Sequence, residues 1–268
     1  MSNRIDQVFS QLRSDNKTAF VAYVAAGDPD MPRSLEVMLA LERAGADIIE
    51  LGVAFSDPLA DGVVNQMAAQ RALDAGATLA GTLDLVRDFR KTGSQTPIVF
   101  FTYLNPVYVY GFSRFHQEAA AAGVDGVLFL DLPPEESQWN AELKESNELC
   151  HIRLIAPTTP DERIQSITRS GEGFIYYVCR EGVTGAKSDL ADDIDEQVAG
   201  IQQHTQLPVV VGFGISTPDQ ALSVARSADG VVVGSAIVRC VEQYGDKEDL
   251  AKQVEAYVKP LVDAVKSV

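Results

Sequence analysis

Eight short apolar runs, each followed by a longer amphipathic stretch, predict a (β/α)8 barrel, the TIM-barrel class of α/β fold, for this chain of 268 residues. The runs are continuously apolar rather than alternating, as parallel strands covered on both faces are. The alternation also reaches the end of the chain with no linker, low-complexity segment or charge run, so residues 1–268 read as a single domain. A doubly wound open sheet is the other arrangement this pattern allows.

In order, Ile5–Arg13 reads as an N-terminal capping helix. The strand candidates are Ala19–Val24, Ile48–Gly52, Ile98–Phe101, Gly126–Leu130, Arg153–Ile155, Phe174–Val178, Val209–Val211 and Gly230–Val233. Each is near the usual strand length of roughly 5–6 residues. Between them, helical periodicity covers Pro32–Arg43, Leu79–Lys91, Ser113–Ala122, Pro134–Ser146, Asp161–Ser170, Asp193–His204, Pro218–Ser227 and Ala236–Tyr244, and Lys247–Lys266 closes the chain. The second unit is longer than the rest and leaves room for an extra helix near Asn65–Asp74. Pro134 after Asp131, and Pro218 after Ser216 and Thr217, mark helix starts. Gly45 and Gly123 sit where a helix C-terminus needs a left-handed residue.

The formal net charge of −16 argues against nucleic acid and anionic membranes as partners, because both require clustered Lys and Arg. Small anionic substrates remain open, since local amides hold them. Met1 to Asn16 is mostly polar and does not resemble a signal peptide, and no apolar run is long enough to span a bilayer. Cys150, Cys179 and Cys240 are widely spaced, form no CxxC and suit a reducing cytoplasm.

In such a barrel the chemistry lies at the C-terminal ends of the strands. Glu50 stands inside the apolar run Ile48–Gly52, where a carboxylate is costly without a job or a partner. A loop dense in Gly, Pro and Asp then brings a second acid, Asp61. Two carboxyls in different environments hold different pKa values and divide acid from base roles. The plainer reading pairs Glu50 with an Arg and makes Asp61 a turn residue. Strands seven and eight each lead through glycine, Gly212 to Gly214 and Gly234, into a helix N-terminus, with Ser235 adding a hydroxyl. Such turns suit an anion, phosphate above all, and equally suit ordinary helix caps. The polar stretch Cys179–Asp189, hinged by Gly182 and Gly185, fits either a substrate-closing lid or a plain surface loop.

The remaining chemistries find little support. Lys17, Lys91, Lys144, Lys247, Lys252, Lys259 and Lys266 fall in helices or connections and Lys187 in the lid, so no lysine is placed for a Schiff base. His116 and His204 lie in helices and His151 precedes strand five, so no metal set is expected. Cys179 has no histidine beside it and reads as packing. Tyr23, Phe101, Tyr103, Phe129, Tyr176 and Phe213 sit at strand ends, either as core or as the wall of a pocket for a flat aromatic group.

Several ordered motifs resemble one family over nearly the whole chain: Gly27-Asp28-Pro29, the Glu50–Asp61 stretch, Tyr176 through Gly185 with Arg-Glu-Gly-Val-Thr-Gly, Gly212-Phe213-Gly214-Ile215-Ser216, and Gly234-Ser235-Ala236-Ile237-Val238. The chain is similar to the alpha subunit of tryptophan synthase. That resemblance implies a carbon–carbon lyase of tryptophan biosynthesis, cleaving indole-3-glycerol phosphate to indole and glyceraldehyde 3-phosphate by a retro-aldol reaction. Glu50 then matches the group that moves protons, and Asp61 the carboxylate beside the indole nitrogen. Gly185, Gly214, Gly234 and Ser235 match the phosphate site. Tyr23, Phe101, Tyr103, Leu128, Tyr176, Thr184 and Phe213 match positions that surround the indole or order the lid. The resemblance also implies a cytoplasmic alpha2-beta2 complex in which the beta subunit alone carries pyridoxal phosphate and receives the indole. Three positions depart from the family pattern. Ala54 and Val63 replace common prolines around a loop that in the family meets the beta subunit, and Tyr23 stands where Phe is frequent. A phosphosugar isomerase on a similar barrel, or a barrel that only activates a partner, are the competing readings.

Overall fold

The computed structural model describes residues 3–136, 140, 143, 148–179, 187–212 and 214–268. Eight parallel strands close into a barrel in chain order: β1 Ala19–Ala25, β2 Ile48–Gly52, β3 Ile98–Thr102, β4 Gly126–Phe129, β5 Cys150–Ile155, β6 Ile175–Val178, β7 Val209–Gly212 and β8 Gly230–Val233, with β8 returning to β1. The helices among the described residues are α1 Arg4–Ser14, α2 Met31–Ala44, α3 Val63–Asp74, α4 Leu79–Lys91, α5 Leu104–Tyr110, α6 Phe112–Ala122, α7 Asp161–Arg169, α8 Lys187–Gln202, α9 Pro218–Ala225, α10 Ser235–Tyr244 and α11 Leu250–Val265.

Alternation along each strand divides the apolar side chains into two compartments. Val21, Val99, Leu128, Ile152, Val210 and Val232 fill the barrel interior. Their neighbours Phe20, Ile49, Phe100, Val127, Val211 and Val231 face outward into the helical shell. Both sets are buried, and the polar residues the strands carry, Glu50, Thr102, His151 and Arg153, are buried with them.

Helix α1 seals the lower end. Asn3 caps it by accepting from the Ile5 N–H, and Ile5, Phe9 and Leu12 share one face at i, i+4 and i+7. That face enters the interior cluster, where Phe9 meets Phe174 with ring centroids 5.8 Å apart. The expected helix ends are present: Gly45 and Gly123 both adopt left-handed conformations at the C-termini of α2 and α6. Thr217 and Gln220 form a reciprocal capping box on α9. A repeated aspartate device closes the lower rim. Asp47, Asp125 and Asp229 accept the backbone N–H of Phe20, Ile98 and Val209, each at the start of a neighbouring strand.

Three details depart from the sequence reading. Strand β5 begins at Cys150, so His151 lies within it rather than before it; its polar outward residues hid the alternation. His151 points away from the barrel interior and stacks on His116 of α6, with facing nitrogens 3.3 Å apart. Helix α5 is additional: seven residues are too few to show a period, and its β-branched and aromatic content imitates a strand. Helix α8 starts at Lys187, which therefore begins a helix instead of lying in the lid. The helix expected over Pro134–Ser146 lies largely outside the described residues.

Candidate active site

Glu50 occupies an inward position on β2, in register with Tyr23 of β1 and Val99 of β3. It is 0% exposed, and neither carboxyl oxygen has a hydrogen-bond partner among the described residues. The Arg pairing of the plainer reading is therefore not what holds it. Burial pushes its pKa up to about 8, so the group is mainly a neutral acid at pH 7.

Asp61 lies in the loop between β2 and α3 and is half-buried. The Tyr103 hydroxyl donates to its Oδ2 at 2.8 Å and accepts from the Ala60 N–H at 2.9 Å. Burial raises the Asp61 pKa, while hydrogen bonds from Tyr103 and Asn65 oppose that rise. Asn65 is in the first turn of α3, and α3 is itself clamped. Arg71 makes a two-pronged contact with the buried carboxylate of Asp28, both bonds 2.8 Å, and reaches Glu242 of α10 at 2.9 Å. The Gly27-Asp28-Pro29 segment thus anchors the helix that follows the Asp61 loop.

Above the interior layer a cavity of about 510 Å³ opens at the C-terminal ends of the strands. Its wall includes Tyr23, Asp61, Phe101, Tyr176, Gly214, Gly234 and Ser235. One side is apolar, from Phe101, Leu130, Leu154 and Val178. The opposite side is the start of α10, where Gly234 precedes the first helical residue, Ser235. The first N–H groups of a helix have no partner within it, and the helix dipole adds positive potential there. This end of the cavity suits a phosphate.

The two tyrosines require glycine beneath them. A Cβ at Gly52 would stand 2.5 Å from the Tyr23 hydroxyl, and one at Gly212 would stand 2.3 Å from that of Tyr176. Phe101 meets Tyr23 edge-on, centroids 5.2 Å apart. Burial, then the nearby acids, raises both phenols well above 10, so they remain neutral. Cys179 also lines the cavity, and burial pushes its thiol up to about 12, which leaves it a poor nucleophile at neutral pH.

The remaining sequence-designated positions are spread around this cavity. Glu50 sits behind its wall, close enough in charge terms to influence Tyr23 and Tyr176. Tyr103 stands behind Asp61, and Leu128 is fully buried in the interior cluster. Thr184, Gly185 and Phe213 lie outside the described residues. Residues the sequence did not single out are Asn65, Arg71 and Arg239. Arg239 lies one turn beyond Ser235 on α10 and reaches the same cavity; its i+4 spacing from a mouth residue was the available signal.

A closed eight-stranded barrel with a buried neutral acid, a second tethered carboxylate, an apolar slot and a glycine-lined helix N-terminus defines an acid–base enzyme acting on a phosphorylated, partly apolar substrate. The tryptophan synthase alpha chain family model matches residues 9–266. The alpha chain of Opitutus terrae is 49% identical over 265 residues, covering 98% of this chain and 99% of that one. The alpha chain of Citrifermentans bemidjiense is 50% identical over 266 residues, with 98% of each covered. Tryptophan synthase subunit alpha of Legionella pneumophila superposes with a TM-score of 0.91 at 36% identity over 100% of both chains. Tryptophan synthase of M. tuberculosis in an open form gives 0.86 at 34% identity over 99% of each chain. This chain belongs to the tryptophan synthase alpha chain family.

Proposed function

We propose that the chain is a carbon–carbon lyase that splits indole-3-glycerol phosphate into indole and glyceraldehyde 3-phosphate, with Glu50 moving the protons and Asp61 holding the indole nitrogen. The observation that carries this reading is the carboxyl of Glu50: fully buried behind the cavity wall, without a hydrogen-bond partner among the described residues, its pKa pushed up by that burial. Indole leaves from carbon poorly until its C3 is protonated. Glu50 supplies that proton. Positive charge then gathers on the ring N–H, where the Asp61 carboxylate, oriented by Tyr103, stabilises it. The glycerol hydroxyl next to C3 gives its proton to the Glu50 carboxylate, the carbon–carbon bond breaks, and its electron pair returns to the ring. Glu50 ends protonated, ready for another cycle. One carboxyl serves as acid and then as base.

The phosphate lies against Gly214, Gly234 and Ser235, and the ring against Phe101, Tyr23 and Tyr176. Thr184, Gly185 and Phe213 complete the phosphate and lid contacts by family position. The cavity volume falls in the range that suits a ligand of this size, roughly 300–1,000 Å³. The reading is tested by indole release from indole-3-glycerol phosphate. Wild type turns over, and Glu50→Gln and Asp61→Asn each lose activity while retaining substrate binding. Near-normal turnover by Glu50→Gln overturns the assignment.

The partner is a tryptophan synthase beta subunit, in an alpha2-beta2 assembly whose pyridoxal phosphate resides in the beta chain. Support comes from the cavity mouth, where Leu59 is 91% exposed, Val109 79% and Val63 and Tyr108 more than half. Exposed apolar groups on the Asp61 loop, at the start of α3 and on α5 suit a docking surface. Gel filtration with the beta subunit, repeated with Leu59→Asp, tests this: the wild-type complex forms and the variant's weakens. The three unpaired cysteines fit a cytoplasmic protein, with residues 1–268 acting as one domain.

A further inference from the structure

Tyr23 stands in the cavity wall with Phe101 and Tyr176. Its ring is fixed on three sides: Phe101 meets its edge at 5.2 Å, Gly52 lies beneath the hydroxyl, and Gly234 lies against its Cβ. The backbone places it in direct register with Glu50 on the adjoining strand. Its hydroxyl makes no hydrogen bond among the described residues and belongs to the cavity wall, whereas both oxygens of Glu50 are buried without a partner among them. A free donor and, once Glu50 is ionised, a bare acceptor therefore stand on adjoining strands.

We infer that the Tyr23 hydroxyl is a positioning residue for Glu50, donating a hydrogen bond to its carboxylate at the moment that group has given up its proton. This rests on the role of Glu50 argued above. While Glu50 is protonated, the hydroxyl is free to face the cavity. When the proton passes to the substrate carbon, a carboxylate remains in an apolar strand layer, and a nearby donor offsets the cost of that charge. No proton leaves Tyr23, whose phenol stays neutral. The other ionisable groups around it do not supply this donor. Asp61 is bound by Tyr103, Asp28 by Arg71, and the Tyr176 hydroxyl lies over Gly212 on the far strand. Cys179, beyond β6, keeps its proton and is only a weak donor. Arg239 reaches the cavity from the phosphate side. A hydrogen bond to the ionised form makes Glu50 a stronger acid than it is against a bare phenyl ring.

Tyr23→Phe tests the inference without removing the ring. In the full-length protein assayed for indole release, kcat is expected to fall about tenfold with KM for indole-3-glycerol phosphate within about twofold, as loss of a hydrogen bond to a charged group implies. The alkaline limb of kcat/KM, set by loss of the Glu50 proton, moves to higher pH by about one unit. A parallel infrared titration of the carboxyl band in the substrate-free protein, with Glu50→Gln identifying the Glu50 signal, shifts the same way. Unchanged kcat and an unmoved titration overturn the inference. A rise in KM alone also overturns it, because the hydroxyl would then touch substrate rather than Glu50. If wild type fails to release indole, the lyase reading fails, while the infrared titration still decides whether Tyr23 and Glu50 are linked.

Discussion

The Tyr103 hydroxyl holds Asp61 at 2.8 Å and is itself held by the backbone N–H of Ala60, the residue before Asp61. The aromatic at the end of β3 thereby ties down the loop that follows β2 and aims its carboxylate at the cavity. A loop acid acquires the precision of a strand residue through one phenol.

Tyr103→Phe is expected to lower kcat/KM by roughly tenfold or more, the value of a hydrogen bond to a charged group. Asp61 works ionised, and its bond from Tyr103 lowers its pKa. Without that bond the pKa rises, so the acid limb of the pH profile moves to higher pH. A limb that stays in place would show that Tyr103 acts on the loop backbone alone.

Glu50→Gln removes activity and also raises stability, with a pH dependence of definite sign. The folded protein holds the Glu50 proton up to about pH 8, whereas the unfolded chain releases it near 4.5. Below pH 4.5 both states are protonated and the carboxyl costs nothing by titration. Between 4.5 and 8 only the unfolded state ionises, so stability drains as pH rises and levels off above 8. The penalty reaches about 5 kcal/mol at the alkaline end, as an order of magnitude. Thermal melts of the two proteins therefore diverge as pH rises from 4 to 8. Parallel curves would count against the raised pKa. Activity of the variant should fall by at least about a hundredfold.

Gly212→Ala places a methyl where the Tyr176 hydroxyl and ring edge now lie. Tyr176 has to swing out, and overpacking of this kind costs about 1–3 kcal/mol. The displaced ring also invades the slot beside Gly214, so KM is expected to rise more than kcat falls. Steady-state kinetics and a melt on the same sample report both effects.

Arg71→Met strands the Asp28 carboxylate, which is 3% exposed, and detaches α3 from the segment that follows β1 and from α10. Breaking one side of a buried pair costs about 3–5 kcal/mol. The matching variant Asp28→Asn/Arg71→Met recovers part of that loss in a double-mutant cycle. Because α3 carries Asn65 beside Asp61, turnover of the single variant falls further than its folded fraction accounts for.

How much of this was readable in the residues follows from how local each signal is. Val21 and Ile49 announce strands because their neighbours are apolar too, and Glu50 stands out against that background. The upper half of β5 was visible as Arg153–Ile155, but Cys150 and His151 broke the pattern, the latter because its outward partner, His116, is distant in sequence. Helix α5 was hidden by its brevity. At the site, the two acids and the glycine turns were legible from the chain alone. The Arg71–Asp28 clamp and the Tyr103–Asp61 tether were not, since each joins residues more than forty positions apart.

The seal that Ile5, Phe9 and Leu12 place under the interior cluster closes the lower end of the barrel among the described residues. The cavity therefore opens at the upper rim, the side on which the exposed apolar groups stand. Whatever rests on Leu59, Val63 and Val109 consequently governs arrival and departure together, and a partner seated there decides where the liberated heterocycle goes next.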